Sequence, residues 1–305
     1  ADAGSFCEVP AAGLLGFGSP TLQPSPIRLP AGAPLGHYEV TGFIAAGGMG
    51  EVYRARDTQL GREVAVKRVG TEFADPRAAN RLIREAQHAS SLTHPNICTI
   101  YEVGNDDGVP FIVMELIDGR PLAAVLREGR PPLATALRYG IEVADALDHA
   151  HGRRVVHRDL KSANIVVDSG GKAVVLDFGL AKRLATNGEP NTMDSIPANR
   201  HGPAGTLSHM APEVLLGGPA DARSDIWSFG VLLYELATGR LPFKGRTEFE
   251  TSASILNESP APVEQTVPLA LRLVIAQCLV KDPASRYQRA SDVREALRRV
   301  AADRS

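Results

Sequence analysis

The sequence predicts an α+β fold of two unequal lobes, a small antiparallel sheet in front and a larger, mostly helical body behind. Three observations predict it. Between residues 37 and 116, short runs of β-branched and aromatic residues are separated by turn signals. Beyond residue 116, apolar residues recur mainly at helical spacing over longer segments. Within that second part, "DIWSFGVLLYELATG" is apolar nearly all round and stops at Gly239, as a central buried helix would. A chain of 305 residues suffices for one large domain or two lobes with a sizeable core. A ligand cleft belongs at the join of such lobes.

Taken in order, residues 1–36 are rich in Pro, Gly, Ala and Ser with no sustained period, and read as a flexible segment. Residues 37–116 form the sheet lobe. "HYEVTGFIA" and "GEVYRARD" are β-prone runs around "AGGMG", and the turn "DTQLG" (57–61) leads into "REVAVKRV". "RLIREAQHASSLTHPN" (81–96) is the lobe's main helix, ending before Pro95. Leu82, Glu85, Ala86, Ala89 and Leu92 share one face, away from Arg81, Arg84 and His88. "VPFIVMEL" (109–116) is a further strand. Residues 117–305 form the second lobe, with helices expected near 133–151, 225–238, 268–281 and 291–301.

Composition narrows the function. Apolar and charged fractions of 44% and 22% are those of an ordinary globular protein. A formal net charge of -2 gives no electrostatic reason to expect nucleic acid or an anionic membrane as partner. No run of about 18 apolar residues is present to span a bilayer. Cys7, Cys98 and Cys278 are far apart and odd in number, which reads as inert thiols in a reducing compartment. "AAGLLGFG" (11–18) lacks a positive flank, against a signal peptide, and the start on Ala1 reads as a fragment or a processed chain.

The chemistry lies in spaced polar residues. "HRDLKSAN" (157–164) places Asp159, Lys161 and Asn164 within six positions, so one loop could present a base, a cation and an amide to one group. In "VAVK", Lys67 shares a strand face with Ala65, opposite Val64 and Val66. A lone strand lysine is ordinarily solvated. Glu85, however, lies on an apolar helix face and needs a cation, so a Lys67–Glu85 pair is expected, aiming the ammonium at a phosphate. "AAGGMGEV" (45–52) lies between two strands, and its glycines would let backbone N–H groups approach phosphate oxygens. Asp177, in "VLDFGLAK", follows Asn164 by 13 residues. Asn164 and Asp177 together supply the hard oxygens that Mg²⁺ prefers.

With "MAPE" (210–213), "SDIWSFG" and Arg286 in "DPASRY", these motifs make residues 37–300 resemble a eukaryotic-like protein kinase domain. "GGMGEVYRARDTQLGREVAVK" and "HPNICTIYEVG" are most similar to bacterial serine/threonine kinases. The resemblance implies transfer of the ATP γ-phosphate to protein Ser/Thr hydroxyls in signal transduction, with Lys161 two after Asp159 carrying the Ser/Thr preference. It implies Asp159 as base, Lys161 on the γ-phosphate, Asn164 and Asp177 on Mg²⁺ (Mn²⁺ as an alternative), and Lys67, held by Glu85, on the α- and β-phosphates. Ile44, Ala45, Gly47, Gly48, Met49 and Gly50 would cover the nucleotide. Val52, Ala65 and Val166 would sandwich the adenine, beside Met114 as gatekeeper and a hinge of Glu115, Leu116 and Ile117.

The resemblance further implies a Glu213–Arg286 brace, Asp225 holding the catalytic loop, and Thr206 beside Asp159. The bland reading of Asp225 is an N-cap. Arg158 suits a phosphorylated activation loop, with Thr192 and Ser195 as candidate sites ahead of Thr206 and Ser208. Autophosphorylation would bring self-association. A cytoplasmic location follows, with room for a membrane tether outside this chain. Two positions depart from the pattern: Ala45 replaces the first glycine, and His209 replaces an aromatic before "MAPE". Ala45 is the only support for a pseudokinase scaffold. The "APE" segment and Arg286 argue against a small-molecule kinase.

Overall fold

The computed structural model describes residues 28–47, 50–69, 76–106, 108–178 and 207–303. Strands β1 (Pro34–Leu35), β2 (Tyr38–Gly47), β3 (Gly50–Asp57), β4 (Glu63–Val69), β5 (Ile100–Asp106) and β6 (Val109–Glu115) make one antiparallel sheet in the order β1-β2-β3-β4-β6-β5. Strand alternation sorts its side chains as the sequence predicts. Val64 and Val66 pack with Leu35, Tyr38, Ala55, Phe111 and Val113 on one face. Ala65 packs with Ala86, Cys98, Ile112 and Met114 on the other. Helix α1 (Pro76–Ala89) lies against β5 and β6 on that second face.

The described part of the segment 1–36 does not behave as a linker. Val40 and residues 32–33 exchange backbone hydrogen bonds, and Leu35 is buried against the sheet. A Pro- and Gly-rich composition hides this because single apolar residues, not a period, make the contact. Strand β5, also absent from the sequence reading, pairs with β6 although its sequence, "IYEVGND", carries three polar residues.

The second lobe is built around helix α5 (Ala222–Thr238), which packs between α3 (Leu133–Gly152) and α7 (Leu269–Cys278), with α8 (Ala290–Ala302) across α3. Trp227, Phe229, Val231 and Leu232 of α5 have no exposed surface, and Trp227 stacks on Phe243. The helix starts three residues before the expected position because Asp221, not Asp225, is its N-cap. The Asp221 carboxylate accepts from the Arg223 N–H at 2.7 Å, and Ser224 completes a capping box. It ends where expected, at Gly239 in the left-handed conformation (φ 69°). α7 stops at Cys278, short of the expected 281, and Pro283 opens a one-turn 3-10 helix, Pro283–Ser285, shortly after. Three helices lay outside the sequence reading: α2 (Leu122–Glu128), α4 (Pro212–Leu215) and α6 (Glu248–Asn257). They are short or bury little; α6 buries only Ser254 and Ile255. A small sheet, β7 (Gly119–Pro121), β8 (Ile165–Asp168) and β9 (Ala173–Val175), lies at the join of the lobes.

Arg286 ties the lower lobe to the segment carrying "APE". Its guanidinium has no exposed surface and binds Glu213 through both arms, at 2.7 and 2.9 Å. The backbone oxygens of Val280, Arg223 and Lys281 take its remaining hydrogens, so every guanidinium donor is used. Burial alone would raise the Glu213 pKa, but hydrogen bonds from Arg286 and Ser224 hold it below the ordinary value of 4.5.

Two outcomes follow. Arg286→Ala should cost about 3 kcal/mol, because it leaves Glu213 without its cation. The wild-type brace should contribute fully above pH 4.5, the unfolded value, and be lost as pH falls through the lower folded value. Urea unfolding at pH 7 and at pH 3.5 should therefore show a smaller wild-type-to-variant gap at acid pH. Separately, a Cβ on Gly230 would meet the Cys278 Cβ at 2.6 Å. Overpacking costs about 1–3 kcal/mol against the roughly 1 kcal/mol that Ala gains over Gly in a helix, so Gly230→Ala should be neutral to destabilising by about 2 kcal/mol. A lower urea midpoint with unchanged slope would confirm the crowding; a midpoint raised by the full helix gain would refute it.

Candidate active site

The site begins with a buried carboxylate. Asp225, inside α5 and fully buried, is the anchor of the loop 157–164 rather than a cap. Its two oxygens accept the backbone N–H groups of His157 (2.7 Å) and Arg158 (2.8 Å), and the His151 Nε2 lies 2.8 Å away. Such hydrogen bonds are what make a buried charge tolerable. They also hold Arg158 at φ 70°, a left-handed conformation that a residue with a long side chain seldom adopts.

The loop's polar side chains converge. Lys161 Nζ lies 2.9 Å from Asp159 Oδ2. The Asn164 amide donates to the Asp159 backbone oxygen (2.8 Å) and to its Oδ2 (3.0 Å). These bonds use the amide nitrogen and leave Asn164 Oδ1 as the atom for another partner. The side chains of Asp159, Lys161 and Asn164 therefore meet in one small volume, and the Asp159 side chain keeps only 10% of its surface exposed.

His157, not singled out in the sequence, joins this loop to the strand before Asp177. Its Nδ1 accepts from the Asp159 N–H at 3.2 Å, and its Nε2 lies 2.9 Å from the Leu176 carbonyl. A single tautomer, with the proton on Nε2, satisfies both. Its ring meets that of buried Phe178 edge-on, centroids 4.7 Å apart. The Leu176 N–H in turn donates to the Asn164 carbonyl at 2.8 Å. Asp177 thus leaves a fixed strand end, itself at φ 57°. The signal for His157 was its place in "HRDLKSAN"; nothing local announces its contacts.

From the sheet lobe, Lys67 on β4 reaches Asp177 Oδ2 at 2.8 Å. The expected Lys67–Glu85 pair is not present. Glu85 on α1 instead pairs with Arg158, Oε1 to Nη1 3.1 Å. The reason is that each finds another opposite charge in the cleft. Lys67, whose side chain is 9% exposed, has its charge satisfied by Asp177, and Arg158, projected by its left-handed backbone, reaches Glu85 first. Glu85 itself is partly buried as its helix face predicts, beside buried Ala86 and Ala89. Behind it the two lobes are stitched by a parallel bridge between Ile97 and Val175 and by the Asn96 side chain, which donates to the Ala173 carbonyl at 2.8 Å.

The apolar side of the cleft gathers Ala65, Met114 and Val174 with partly buried Val52, Leu116, Ile117 and Leu176. Val166 lies on the opposite face of β8 from Ile165 and Val167, which pack into the lower core. Glu115 closes β6, and its N–H is bound to the Thr99 carbonyl at 2.9 Å. A small cavity behind Met114 is lined by Ala89, Ile97, Cys98, Ile100, Asp177 and Phe178. Burial pushes the Cys98 and Cys278 thiols well up, so both are unreactive; Cys7 lies outside the described residues. Ala45 pairs with Val52 across β2–β3, while Ile44 is 46% exposed at the register shift between Phe43 and Ala45. Gly47 pairs with Gly50, whose φ of 124° favours glycine. Gly48, Met49, Thr192, Ser195 and Thr206 lie outside the described residues. Ser208 is half-buried and His209 buried.

Among the described residues, no helix is long and apolar enough to cross a membrane. The family described as protein kinase domain matches residues 38–298. A probable serine/threonine-protein kinase of Streptomyces coelicolor is 39% identical over 268 residues, 85% of this chain and 39% of its own length. The serine/threonine-protein kinase PrkC of Bacillus subtilis is 36% identical over 85% of this chain and 39% of its own. The serine/threonine-protein kinase PknA of Mycobacterium tuberculosis is 37% identical over 88% of this chain and 62% of its own. The chain thus spans about two fifths of the length of the first two relatives. The crystal structure of the Mycobacterium tuberculosis PknI kinase domain, as a double mutant, superposes with a TM-score of 0.72 at 26% identity, covering 90% of this chain and all of that one. With a sheet lobe, a helical lobe and this loop between them, the chain belongs to the protein kinase domain family.

Proposed function

We propose that this protein is a serine/threonine protein kinase, transferring the γ-phosphate of ATP to protein Ser/Thr hydroxyls, with residues 37–116 and 117–305 as its two lobes. The observation that carries the reading is the Asp159–Lys161–Asn164 cluster, closed from the other lobe by the 2.8 Å Lys67–Asp177 contact. Phosphoryl transfer asks for positioned groups and stabilised charge more than for covalent chemistry by the protein. Asp159 orients the acceptor hydroxyl and takes its proton at a carboxylate oxygen. Lys161 neutralises charge on the transferred group. Lys67 steadies the α- and β-phosphates, and the adenine lies between Val52 and Ala65 above and Val166 below, against Met114, Glu115, Leu116 and Ile117. Ile44 to Gly50 cover the phosphates, Ala45 included.

The residues present fit Mg²⁺, with Mn²⁺ as a substitute. Asn164 Oδ1 and the Asp177 carboxylate are hard oxygen donors, and among the described residues no cluster of three or more His, Cys, Asp or Glu forms a dedicated cage. That donor set suits an ion that keeps water and phosphate oxygens in its shell. When bound, the ion neutralises charge on the phosphate oxygens.

The exchanged pairs point to regulation of this reading. Glu85 on Arg158 and Lys67 on Asp177 describe a resting arrangement. A phosphate on Thr192 or Ser195 would compete for Arg158, freeing Glu85 to hold Lys67 and Lys67 to release Asp177. Copies of the chain that phosphorylate one another in this way would associate transiently.

Three measurements test this. Asp159→Asn should lower phosphate incorporation from labelled ATP by about 10²–10⁴-fold while nucleotide still raises the melting temperature; wild-type rates would exclude Asp159 as base. Lys67→Met should lower turnover severely without unfolding the chain, read by circular dichroism beside the activity assay. Mapping of modified residues on the active protein should find Thr192 or Ser195, and should find neither in the Asp159→Asn protein.

A further inference from the structure

The hairpin β2–β3, which carries the glycine turn, has a second face that the chemistry does not use. On that outer face Phe43 and Tyr53 are cross-strand partners, their rings edge to face with centroids 5.8 Å apart. Tyr53 is fully buried although it lies on an outer strand face, and the chain preceding the sheet accounts for that. The Arg28 guanidinium lies 4.1 Å over the Phe43 ring. The Leu29 N–H donates to the Tyr53 hydroxyl at 3.1 Å, and the hydroxyl donates to Glu51 Oε2 at 2.5 Å. Leu29 packs its side chain on the cluster of Leu35, Tyr38 and Phe111. Beyond it, hydrogen bonds joining Gly32 and Ala33 to Val40 fasten the segment along β2.

The contacts form one chain from residues 28–29 to the glycine turn. Glu51 directly follows Gly50 and pairs in register with Ala46, and Val52, on the opposite face, belongs to the apolar side of the cleft. Burial and the neighbouring Glu51 carboxylate push the Tyr53 phenol up, so it stays a donor to Glu51 while accepting from Leu29. Two register shifts, between Val40 and Gly42 and between Phe43 and Ala45, loosen β2 where it needs external support. Phe43 and Ile44, 41% and 46% exposed, offer little packing there of their own.

We infer that Arg28 and Leu29 are positioning residues for nucleotide binding, a strap that fixes the arms of the glycine turn through Phe43, Tyr53 and Glu51. The inference rests on the kinase reading above. It assigns the strap no contact with ATP: its effect is to hold Ala45 and Val52 where they meet the nucleotide.

The test uses the full chain with Arg28→Ala, Arg28→Lys and Tyr53→Phe. It measures the affinity of a fluorescent ATP analogue, KM for ATP, KM for a protein substrate and kcat, together with the melting temperature without nucleotide. Loss of a cation–π contact or of one hydrogen bond predicts about a fivefold rise in KM for ATP and an equal loss of analogue affinity. Turnover and KM for the protein substrate should stay within about twofold. Arg28→Lys, which keeps the cation, should recover most of the affinity. Unchanged ATP affinity in both Arg28→Ala and Tyr53→Phe would overturn the inference. So would a loss spread equally over both substrates with a falling melting temperature, since that marks general destabilisation. A wild-type chain that binds no ATP would overturn the kinase reading and the strap with it, whereas a wild-type chain that binds ATP beside unaffected variants overturns the strap alone.

Discussion

The interaction on which the site depends is the buried carboxylate of Asp225. It has no solvent, so its charge is tolerable only while His157, Arg158 and His151 stay hydrogen-bonded to it. That requirement runs both ways. The carboxylate demands two consecutive backbone N–H groups, and meeting the demand sets the loop in the left-handed turn that aims Arg158 at α1 and Asp159 at Lys161 and Asn164. The rigid helix beneath, packed on all sides, makes the turn reproducible. Loop geometry here is an output of core electrostatics more than of loop sequence.

The cleft above that anchor is a balanced set of charges. Three ion pairs meet there, Lys67 with Asp177, Arg158 with Glu85 and Lys161 with Asp159, none longer than 3.1 Å. Close pairing of this kind is what makes desolvated charges tolerable. The exchange proposed above would trade two of these pairs for Lys67–Glu85 and a phosphate on Arg158, leaving the Asp177 carboxylate to a metal ion.

Much of this was legible in the sequence. The strand alternation around Lys67, the helical face carrying Glu85, the buried α5 with its Gly239 stop, and the loop triplet each follow from local spacing. What was not legible depends on partners distant in the chain. No local signal says that Glu85 meets Arg158 rather than Lys67, because both are cations within reach and the choice is made by backbone geometry 73 residues away. For Asp225 the sequence leaves a cap open beside the role of loop anchor, and Asp221 fills the cap position. The segment 28–36 read as linker because its contacts are made by one Arg, one Leu and backbone groups, which leave no period. His157 was hidden inside its own motif, its role set by Leu176 and Phe178.

The parallel bridge of Ile97 with Val175 has a mechanical consequence. Ile97 lies between the end of α1 at Ala89 and the start of β5, and Val175 ends the strand that leads to Asp177; Asn96 reinforces the contact. The helix that carries Glu85 and the carboxylate that holds Lys67 therefore lean on one shared backbone support, so a change that disturbs the bridge reaches both ion pairs of the cleft at once.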